Sequence, residues 1–245
     1  MEMVCKFKTI SIIFLCFFLL FFSANTATGT IYTEDFNDGN IDAPFEINTT
    51  NYTISNGELH IIGGEPYNNT DLCEIGVYHF NGDYIYRVES SLLVLGPNPT
   101  DLTGISLQWY EDSNDNHGWK AHLKFDHTNG VFWAHYWNGT DAFDVNLESF
   151  NYNEWYDLSI TFNTDSITYG INGSETELFK GSYQEPTSIY YSYGEIHSAI
   201  FPADGVDVYA DNLSVYIKQV IPEPASMFLF SFGLLGIAGI SRKKK

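Results

Sequence analysis

Residues 154–173, EWYDLSITFNTDSITYGING, decide the fold of this chain. Apolar and polar side chains alternate through Trp155–Phe162 and again through Ser166–Ile171, which is the period of a strand with one buried face. Asn163-Thr164-Asp165 separates the two runs, and Asn172-Gly173 ends the second with residues that favour tight turns. The segment therefore predicts two antiparallel strands joined by a short turn.

The same pattern of alternating runs and polar turns continues in both directions along the chain. Asn56-Gly57 lies within the alternating run Tyr52–Ile62, which predicts a two-residue hairpin. Further strands are predicted over Cys73–Phe80, Tyr84–Leu95, Thr103–Tyr110, Trp119–Phe125, Val131–Trp137, Ile189–Phe201 and Val206–Ile217. Residues 81–83 are expected to join the first two of these as a hairpin, and residues 126–130 to join 119–125 to 131–137. About a dozen strands without an amphipathic helix predict an all-β, antiparallel β-sandwich.

An apolar segment precedes this all-strand region. The net basic Met1–Lys8 comes before the apolar run Thr9–Phe22, and small residues follow at 23–27, which is the layout of a secretory signal peptide. The apolar run is short for a membrane span, and an uncleaved N-terminal anchor is the alternative interpretation. We assign residues 1–27 to a signal peptide, 28–218 to the β-sandwich and 219–245 to a C-terminal segment.

The C-terminal segment has three parts in a fixed order. They are the motif Pro222, Glu223 and Pro224, the apolar run Ala225–Ile240, and the basic cluster Arg242, Lys243, Lys244 and Lys245. As a helix, the apolar run would rise about 24 Å, against a hydrocarbon core of about 30 Å. The basic cluster predicts that this end stays cytoplasmic while the acidic body lies outside. A plain C-terminal membrane anchor is the alternative, whereas a GPI signal would end in the apolar run.

This order of Pro-Glu-Pro, short apolar helix and terminal basic cluster resembles the PEP-CTERM sorting signal of Gram-negative bacteria. The resemblance implies export by the secretion machinery, a transient stay in the inner membrane and processing by an exosortase-type membrane protease. It places the mature protein at the cell surface or outside the cell. Such signals occur in bacteria that make extracellular polysaccharide, so the resemblance also implies polysaccharide as a partner.

The charge of the body excludes one class of partner. The whole chain has a formal net charge of −20 at pH 7. Residues 28–221 contain 29 acidic residues and only five basic ones, which are Arg87, Lys120, Lys124, Lys180 and Lys218. A body this acidic repels phosphate backbones, which excludes nucleic acid. Cys73 is its single cysteine, so the body has no internal disulfide.

The order of short motifs along the body resembles the concanavalin A-like jelly roll. EDFNDG (34–39) opens the body, NGEL (56–59) follows, and EWYDLSI (154–160) lies past the middle. SITYGING (166–173) and ADNLSV (210–215) complete the series. The resemblance covers about residues 30–218 and implies a fold shared by lectins, laminin-G-type modules, hydrolases and lyases. Because one fold serves all of these, it leaves the function open.

A carboxylate pair is the first chemistry to look for in this fold. Glycosidases of this fold that use such a pair carry Glu-x-Asp-x-x-Glu on one strand, and the sequence contains no such string. Pairs such as Glu111/Asp112 and Asp204/Asp207 arise by chance in so acidic a body and are interpreted as solvated surface. The sequence therefore favours a non-enzymatic protein over an enzyme.

The strand 119–126 carries the most informative polar pattern. Lys120, His122 and Lys124 alternate with apolar residues, so one face of this strand is basic. On the preceding strand, Gln108 and Tyr110 are expected on the exposed side. If the two strands pair, these five side chains form one patch. Aromatic faces stack on sugar rings and lysines bind carboxylated or sulfated sugars, so the patch is the predicted glycan contact.

Two alternatives for this patch stay open. One is a solvated polar face, and the other is a lyase site, because lyases of this fold that act on acidic polysaccharide draw on Tyr, His, Gln and Lys. Trp133, Tyr136 and Trp137 would extend the patch if they share its face. Val131–Trp137 is aromatic on both faces, so the pattern does not choose the outward one.

Calcium is the cofactor that the sequence could hold. The alternating pattern places Asp211 on the face of Leu213 and Val215, where a bare carboxylate is costly. Asp211 could cap backbone amides, or it could share a calcium ion with Asp35 or Asp38. The loop 112–118 imitates the start of an EF-hand, but its twelfth position is Leu123 and strands flank it.

Three functions follow from these patterns. The favoured one is an exported, exosortase-processed, non-enzymatic protein that binds or accompanies extracellular polysaccharide. The second is a secreted polysaccharide lyase or glycoside hydrolase that uses Tyr110, Lys120 and His122. The third is a structural or adhesive envelope protein.

Overall fold

A computed structural model describes residues 29–47, 52–61, 73–80, 84–96, 103–110, 118–183, 191–198 and 208–218. The strands in these ranges are β1 (Thr30–Glu34), β2 (Glu46–Ile47), β3 (Tyr52–Ser55), β4 (Glu58–Ile61), β5 (Cys73–Phe80), β6 (Tyr84–Val94), β7 (Gly104–Tyr110), β8 (Gly118–Asp126), β9 (Val131–Trp137), β10 (Ala142–Ser149), β11 (Trp155–Phe162), β12 (Ile167–Ile171), β13 (Ser174–Leu178), β14 (Tyr191–Ser198) and β15 (Val208–Lys218). The predicted signal peptide and C-terminal membrane helix lie outside the described residues. Within the described residues, no helix has the length and hydropathy that a membrane crossing requires.

The strands form two antiparallel sheets, as the sequence predicts. One sheet has eight strands in the order β13-β12-β11-β6-β15-β4-β3, with β1 also paired to β15. The other has seven strands in the order β10-β9-β8-β7-β14-β5-β2. The core lies between the sheets, because alternate residues of each strand point to one side.

Side-chain hydrogen bonds connect the sheets through this core. The indole Nε1 of Trp109 in β7 donates to the carbonyl oxygen of Ile85 in β6 at 3.0 Å. The Tyr169 hydroxyl in β12 donates to the carbonyl oxygen of His135 in β9 at 2.8 Å. Both rings are almost fully buried, so each bond satisfies a polar group that would otherwise be costly. Burial raises the pKa of Tyr169 well above its usual value, so its hydroxyl keeps the proton that it donates.

Three predicted hairpins are confirmed and one is wrong. Asn56-Gly57 joins β3 to β4, residues 126–130 join β8 to β9, and residues 163–165 join β11 to β12. Cys73–Phe80 and Tyr84–Val94 do not pair, because β5 belongs to the seven-stranded sheet and β6 to the eight-stranded one. Turn residues mark where the chain reverses, and the same residue types serve a hairpin or a crossing between sheets.

Four strands are not predicted from the sequence, β1, β2, β10 and β13, and the last two each end one of the sheets. Asn172-Gly173 ends β12 and also forms the turn that leads into β13. β13 lies at the edge of the eight-stranded sheet, and its Glu175 and Glu177 are exposed. Both turn residues have positive φ, 49° and 77°, as a tight hairpin turn requires. β10 lies at the edge of the other sheet. Its sequence, AFDVNLES, alternates between apolar and polar residues, so this strand could have been predicted from its period.

His127 follows β8 in the turn that closes the β8–β9 hairpin. Its ring stacks on Tyr152 with centroids 5.6 Å apart, and its Nδ1 lies 3.1 Å from the Tyr152 hydroxyl. Its Nε2 is buried and has no hydrogen-bond partner within the described part of the chain. Burial lowers the pKa of His127 to about 4, against a smaller opposite effect of the Asp126 carboxylate.

We expect the free energy of unfolding to fall as the pH drops from 6.5 towards 4. In this window the unfolded chain protonates His127 near its ordinary pKa of 6.5, whereas the folded protein resists protonation down to about 4. With allowance for the exposed part of the ring, the loss is about 1–2 kcal/mol. Urea denaturation across this range measures it. His127→Phe keeps the stacking and should flatten the profile, and an equal slope in both proteins would contradict this role.

Candidate functional site

The outer face of the seven-stranded sheet gathers the predicted patch into three rows across β7, β8, β9 and β10. We call this surface the ladder face. The first row pairs Gln108, Lys120, Trp137 and Ala142. The second row pairs Ser106, His122, His135 and Asp144, and the third pairs Gly104, Lys124, Trp133 and Asn146. β7 and β8 pair, which is the condition on which the patch depended, and the pairing brings Gln108, Tyr110, Lys120, His122 and Lys124 onto one face.

The β7 part of the ladder face is buried, which the sequence did not predict. Gln108 and Tyr110 are each 4% exposed, and Lys124 is 9% exposed. The Tyr110 hydroxyl donates to Gln108 Oε1 at 3.1 Å, and Gln108 Nε2 donates to Ser106 Oγ at 3.2 Å. The expectation of an exposed Gln108 and Tyr110 is wrong, because β7 is a central strand whose polar side chains bond to one another along it.

A glycine makes room for the Tyr110 ring. Gly118 is the cross-strand partner of Tyr110, and a Cβ at this position would lie 2.8 Å from Cε1 of that ring. The ring therefore lies down over the backbone of β8, toward Lys120. Any larger residue at Gly118 would have to displace it.

The two lysines of β8 lie against aromatic rings. Lys120 Nζ is 5.8 Å from the ring centroids of both Tyr110 and Trp137. Lys124 Nζ is 5.4 Å from the ring centroid of Trp133. These are cation–π distances, which hold an ammonium group in place without cancelling its charge.

The structure shows which face of β9 points outward. Trp133, His135 and Trp137 are half-buried on the ladder face, whereas Tyr136 is fully buried in the core. Trp133 and Trp137 therefore extend the predicted patch and Tyr136 does not. The sequence could not select between the two faces because each carries aromatic residues at every second position.

A histidine pair lies between the two lysines. His122 and His135 are cross-strand neighbours with ring centroids 5.5 Å apart, and the His135 ring stacks on Trp133 at 4.9 Å. Nδ1 of His135 lies 2.7 Å from Oδ1 of Asp144. Asp144 thus orients one histidine at the accessible edge of the ladder face.

Among the side chains that the structure describes, three carboxylates lie on or beside the ladder face: Asp144 and the exposed Glu148 on β10, and Asp126 at the end of β8. Asp144 contacts His135, as above. Asp126, at the end of β8, accepts bonds from the backbone of Thr128 and Asn129 and caps the hairpin turn. Counted along the register, the two lie several residues and two strands apart, farther than the spacing of a glycosidase pair.

Asp211 does not share the face of Leu213 and Val215. A β-bulge at Asn212, which has a φ of 53°, shifts the register of β15 against β6 between Asp211 and Ser214. The extra residue reverses the alternation, so Val208 and Ala210 are buried before it and Leu213 and Val215 after it. Asp211 is therefore half-buried on the outer side. A bulge cannot be recognised from alternation alone, which assumes an unbroken period.

The predicted calcium residues are partly assembled. Oδ1 of Asp211 accepts from the backbone of Asn212 at 2.7 Å, while Asp35 and Asp38 accept from the backbone of Asn37 and Asn40 at the start of the loop after β1. Burial raises the pKa of Asp211, and the nearby Asp35 carboxylate adds to this rise. Across the described ranges, no three His, Cys, Asp or Glu side chains are grouped to hold a metal ion. Capping of the bulge accounts for the Asp211 contacts seen.

Comparison with known proteins identifies the tail and the fold. Residues 220–243 match the family model of the PEP-CTERM protein-sorting motif, which implies an exported protein sorted by an exosortase. No curated protein matches the chain.

Solved structures resemble the chain over most of its length. The laminarinase catalytic domain of Thermotoga petrophila is 12% identical with a TM-score of 0.58, over 79% of this chain and all of that one. A non-specific endo-β-1,3(4)-glucanase from family GH16 is 13% identical with a TM-score of 0.57, over 79% and 92%. The β-glucanase of Bacillus licheniformis is 16% identical with a TM-score of 0.53, over 78% and 99%. The β-sandwich is thus a jelly roll of the concanavalin A-like, GH16-like kind, as the resemblance implied.

We expect Asp211→Asn to raise the thermal unfolding midpoint at pH 7 in the presence of EDTA. The raised pKa means that folding disfavours the charged carboxylate, so this group costs stability once the pH exceeds its unfolded-state pKa. The Asn side chain is neutral and retains an oxygen for the bulge. Asp141→Asn, at an exposed turn, is the control and should leave the midpoint unchanged.

If Asp211 does bind calcium, the parent protein should have a higher unfolding midpoint than Asp211→Asn in excess calcium, the opposite of the order expected in EDTA. A bound ion would raise the midpoint of the parent protein and not that of Asp211→Asn. Equal midpoints of the parent protein with calcium and with EDTA would contradict a calcium site at Asp35, Asp38 and Asp211.

Proposed function

We propose that this protein is exported, processed by an exosortase and placed at the cell surface or outside the cell, where its jelly roll binds extracellular polysaccharide without cleaving it. In this proposal residues 1–27 direct export, and 219–245 tether the chain in the inner membrane until processing. The sorting motif at 220–243 supports the location. The ladder face supports the binding.

The aromatic and cationic lining of β8 and β9 is the single observation that carries the binding function. Trp133 and Trp137 flank His135 on one strand, and each lies beside a lysine of the next strand. Half-buried indole rings offer apolar area for the faces of sugar rings, and the polar groups between them offer hydrogen bonds to hydroxyls. Because β8 and β9 are paired in a rigid sheet, this lining is held in place before a ligand arrives.

The proposal that the polysaccharide is not cleaved is based on the carboxylates of the ladder face. Hydrolysis by the usual route needs a general acid and a second carboxylate about 5–9.5 Å apart. Of the described carboxylates here, Asp144 is bonded to His135, Asp126 caps a turn and Glu148 is exposed on β10, and the sequence lacks the Glu-x-Asp-x-x-Glu string of the carboxylate-pair glycosidases. The likeness to glucanases is a likeness of fold at 12–16% identity, and it carries no catalytic residue over to this chain.

The lyase alternative uses the same surface. It would need Tyr110 or His122 to take a proton from the sugar, with a lysine near the acid group. Tyr110 is almost fully buried and its hydroxyl is bonded to Gln108, which favours a positioning role for this residue over contact with a substrate. The third alternative, a structural or adhesive protein, predicts no saturable binding of sugars.

We expect Trp133→Ala to weaken binding of a polysaccharide by about tenfold, since it removes a stacking surface worth roughly 1–2 kcal/mol. Affinity electrophoresis of the full chain in gels that contain polysaccharide measures the change. Trp155→Ala is the matched control, because Trp155 is 39% exposed on the opposite sheet and should not alter binding. In the same samples, new reducing ends or ultraviolet absorbance would favour an enzyme instead.

We expect replacement of Pro222, Glu223 and Pro224 by alanine to stop C-terminal processing in a host that has an exosortase. The uncleaved chain would stay with the membrane fraction and keep the basic residues at its end. Mass spectrometry of the C-terminus checks this, with Lys245→Ala as a control that leaves most of the basic cluster intact. Normal processing of the triple variant would refute sorting through this motif.

A further inference from the structure

The basic residues of this acidic body differ in their neighbours: some are ion-paired with carboxylates, and others lie against aromatic rings on the ladder face. Arg87 is paired with Glu89 at 2.8 Å and with Glu175 at 3.5 Å on the eight-stranded sheet. Lys180 is paired with Glu177 at 2.6 Å beside β13. These two cations are therefore neutralised by neighbours within the protein.

Lys120 has a different environment. Its ammonium group lies between the rings of Tyr110 and Trp137, and no carboxylate of the described residues is within ion-pair distance of it. Aromatic rings attract a cation through their quadrupole and leave its net charge in place. The nearest acid of the ladder face, Asp144, contacts His135 one row away. Lys120 is thus a positioned positive charge that the described protein does not cancel.

We propose that the ladder face takes an anionic polysaccharide, with carboxylate or sulfate groups on its sugars, and that Lys120 binds one of these groups. This inference rests on the proposed function, since it names the class of ligand for the same surface. It also departs from the fold comparison, where the similar structures are described as glucanases and laminarinases.

The arrangement of the β8 side chains defines what such a ligand must offer. Lys120 and Lys124 are four residues apart on one strand, which places their Cα atoms about 13 Å apart. Each lies beside a tryptophan of β9, so a charged group and a ring face recur together along the strand. Lys124 is only 9% exposed, so Lys120 is the ammonium that an acidic group of a ligand can reach from solvent.

The charge of the remaining body makes this surface selective. With 31 acidic and 11 basic residues in the chain, an anionic polymer is repelled by most of the protein. It can approach closely only where positive charge is presented, and charge-assisted hydrogen bonds from an ammonium then fix its position. A neutral glucan lacks this attraction and retains only stacking and hydroxyl contacts.

The experiment compares polymers that differ only in charge. The full chain, purified in detergent, is tested against dextran sulfate and dextran, and against polygalacturonate and its methyl ester, with laminarin as a further neutral glucan. We expect the charged member of at least one pair to bind about tenfold more tightly, with an affinity that falls as salt is added. The two pairs distinguish sulfate from carboxylate recognition.

Variants then assign the effect to Lys120. Lys120→Met keeps the alkyl stem over the rings and should lower affinity for the charged polymer about tenfold, and by much less for its neutral partner, which loses only a hydroxyl contact. Lys120→Arg keeps the charge and should retain binding. Lys180→Met, which removes an ion-paired lysine elsewhere, is the control. Thermal unfolding confirms that each variant is folded.

Failure of this inference differs from failure of the proposed function. The inference fails if charged and neutral polymers bind equally, or if Lys120→Met binds the charged polymer as tightly as the parent does. If Trp133→Ala still weakens binding in that case, the ligand is not selected by charge but the polysaccharide function stands. If no polymer binds, or Trp133→Ala has no effect on any of them, the polysaccharide function itself is wrong.

Discussion

The antiparallel register of β8 between β7 and β9 holds the functional surface together. Because side chains alternate strictly along each strand, this register places Lys120, His122 and Lys124 opposite the half-buried aromatic residues of β9. The same register sends Leu123 and Phe125 into the core. A slip of one residue would exchange the two faces and bury charges, so core packing and surface chemistry specify the same pairing. Tyr169 adds to this by holding β9 from the opposite sheet.

The solved β-glucanases share the fold of this chain, and at 12–16% identity the likeness is one of fold. Glycosidases of this fold that use a carboxylate pair carry Glu-x-Asp-x-x-Glu on one strand, and the sequence lacks this string. The central strand β7 presents Ser106, Gln108 and Tyr110 at alternate positions, bonded to one another along the strand. The half-buried side chains of the ladder face lie on β8 and β9. One fold supports binding proteins and enzymes alike, depending on a few side chains.

Much of the fold could be predicted from local sequence, because a strand and its turn are short-range features. The β-sandwich and the hairpins at Asn56-Gly57, residues 126–130 and residues 163–165 all follow from alternation and turn chemistry. What could not be predicted depends on distant parts of the chain. The separation of β5 from β6 into different sheets and the bulge at Asn212 are set by packing, and neither changes the local composition.

Part of the candidate site could also be predicted from the sequence, and part could not. Its β8 residues stand out in the sequence because lysines are rare in the body, whereas the choice of Trp133 and Trp137 over Tyr136 requires knowing which side of β9 meets the core. The burial of Gln108 and Tyr110 likewise depends on their position in the middle of a sheet. Polar residues at alternate positions show which face they share but not how far water reaches them.

The edge strand β13 has a consequence for contacts between copies of this domain. Its backbone ends the eight-stranded sheet and offers unpaired groups to a strand of another molecule, but Glu175 and Glu177 are exposed along it. These carboxylates are ion-paired with Arg87 and Lys180, so a strand that docks here would have to cover or displace charged side chains at a cost. The edge is thereby protected against addition of a further strand, and the sheet ends where the domain ends.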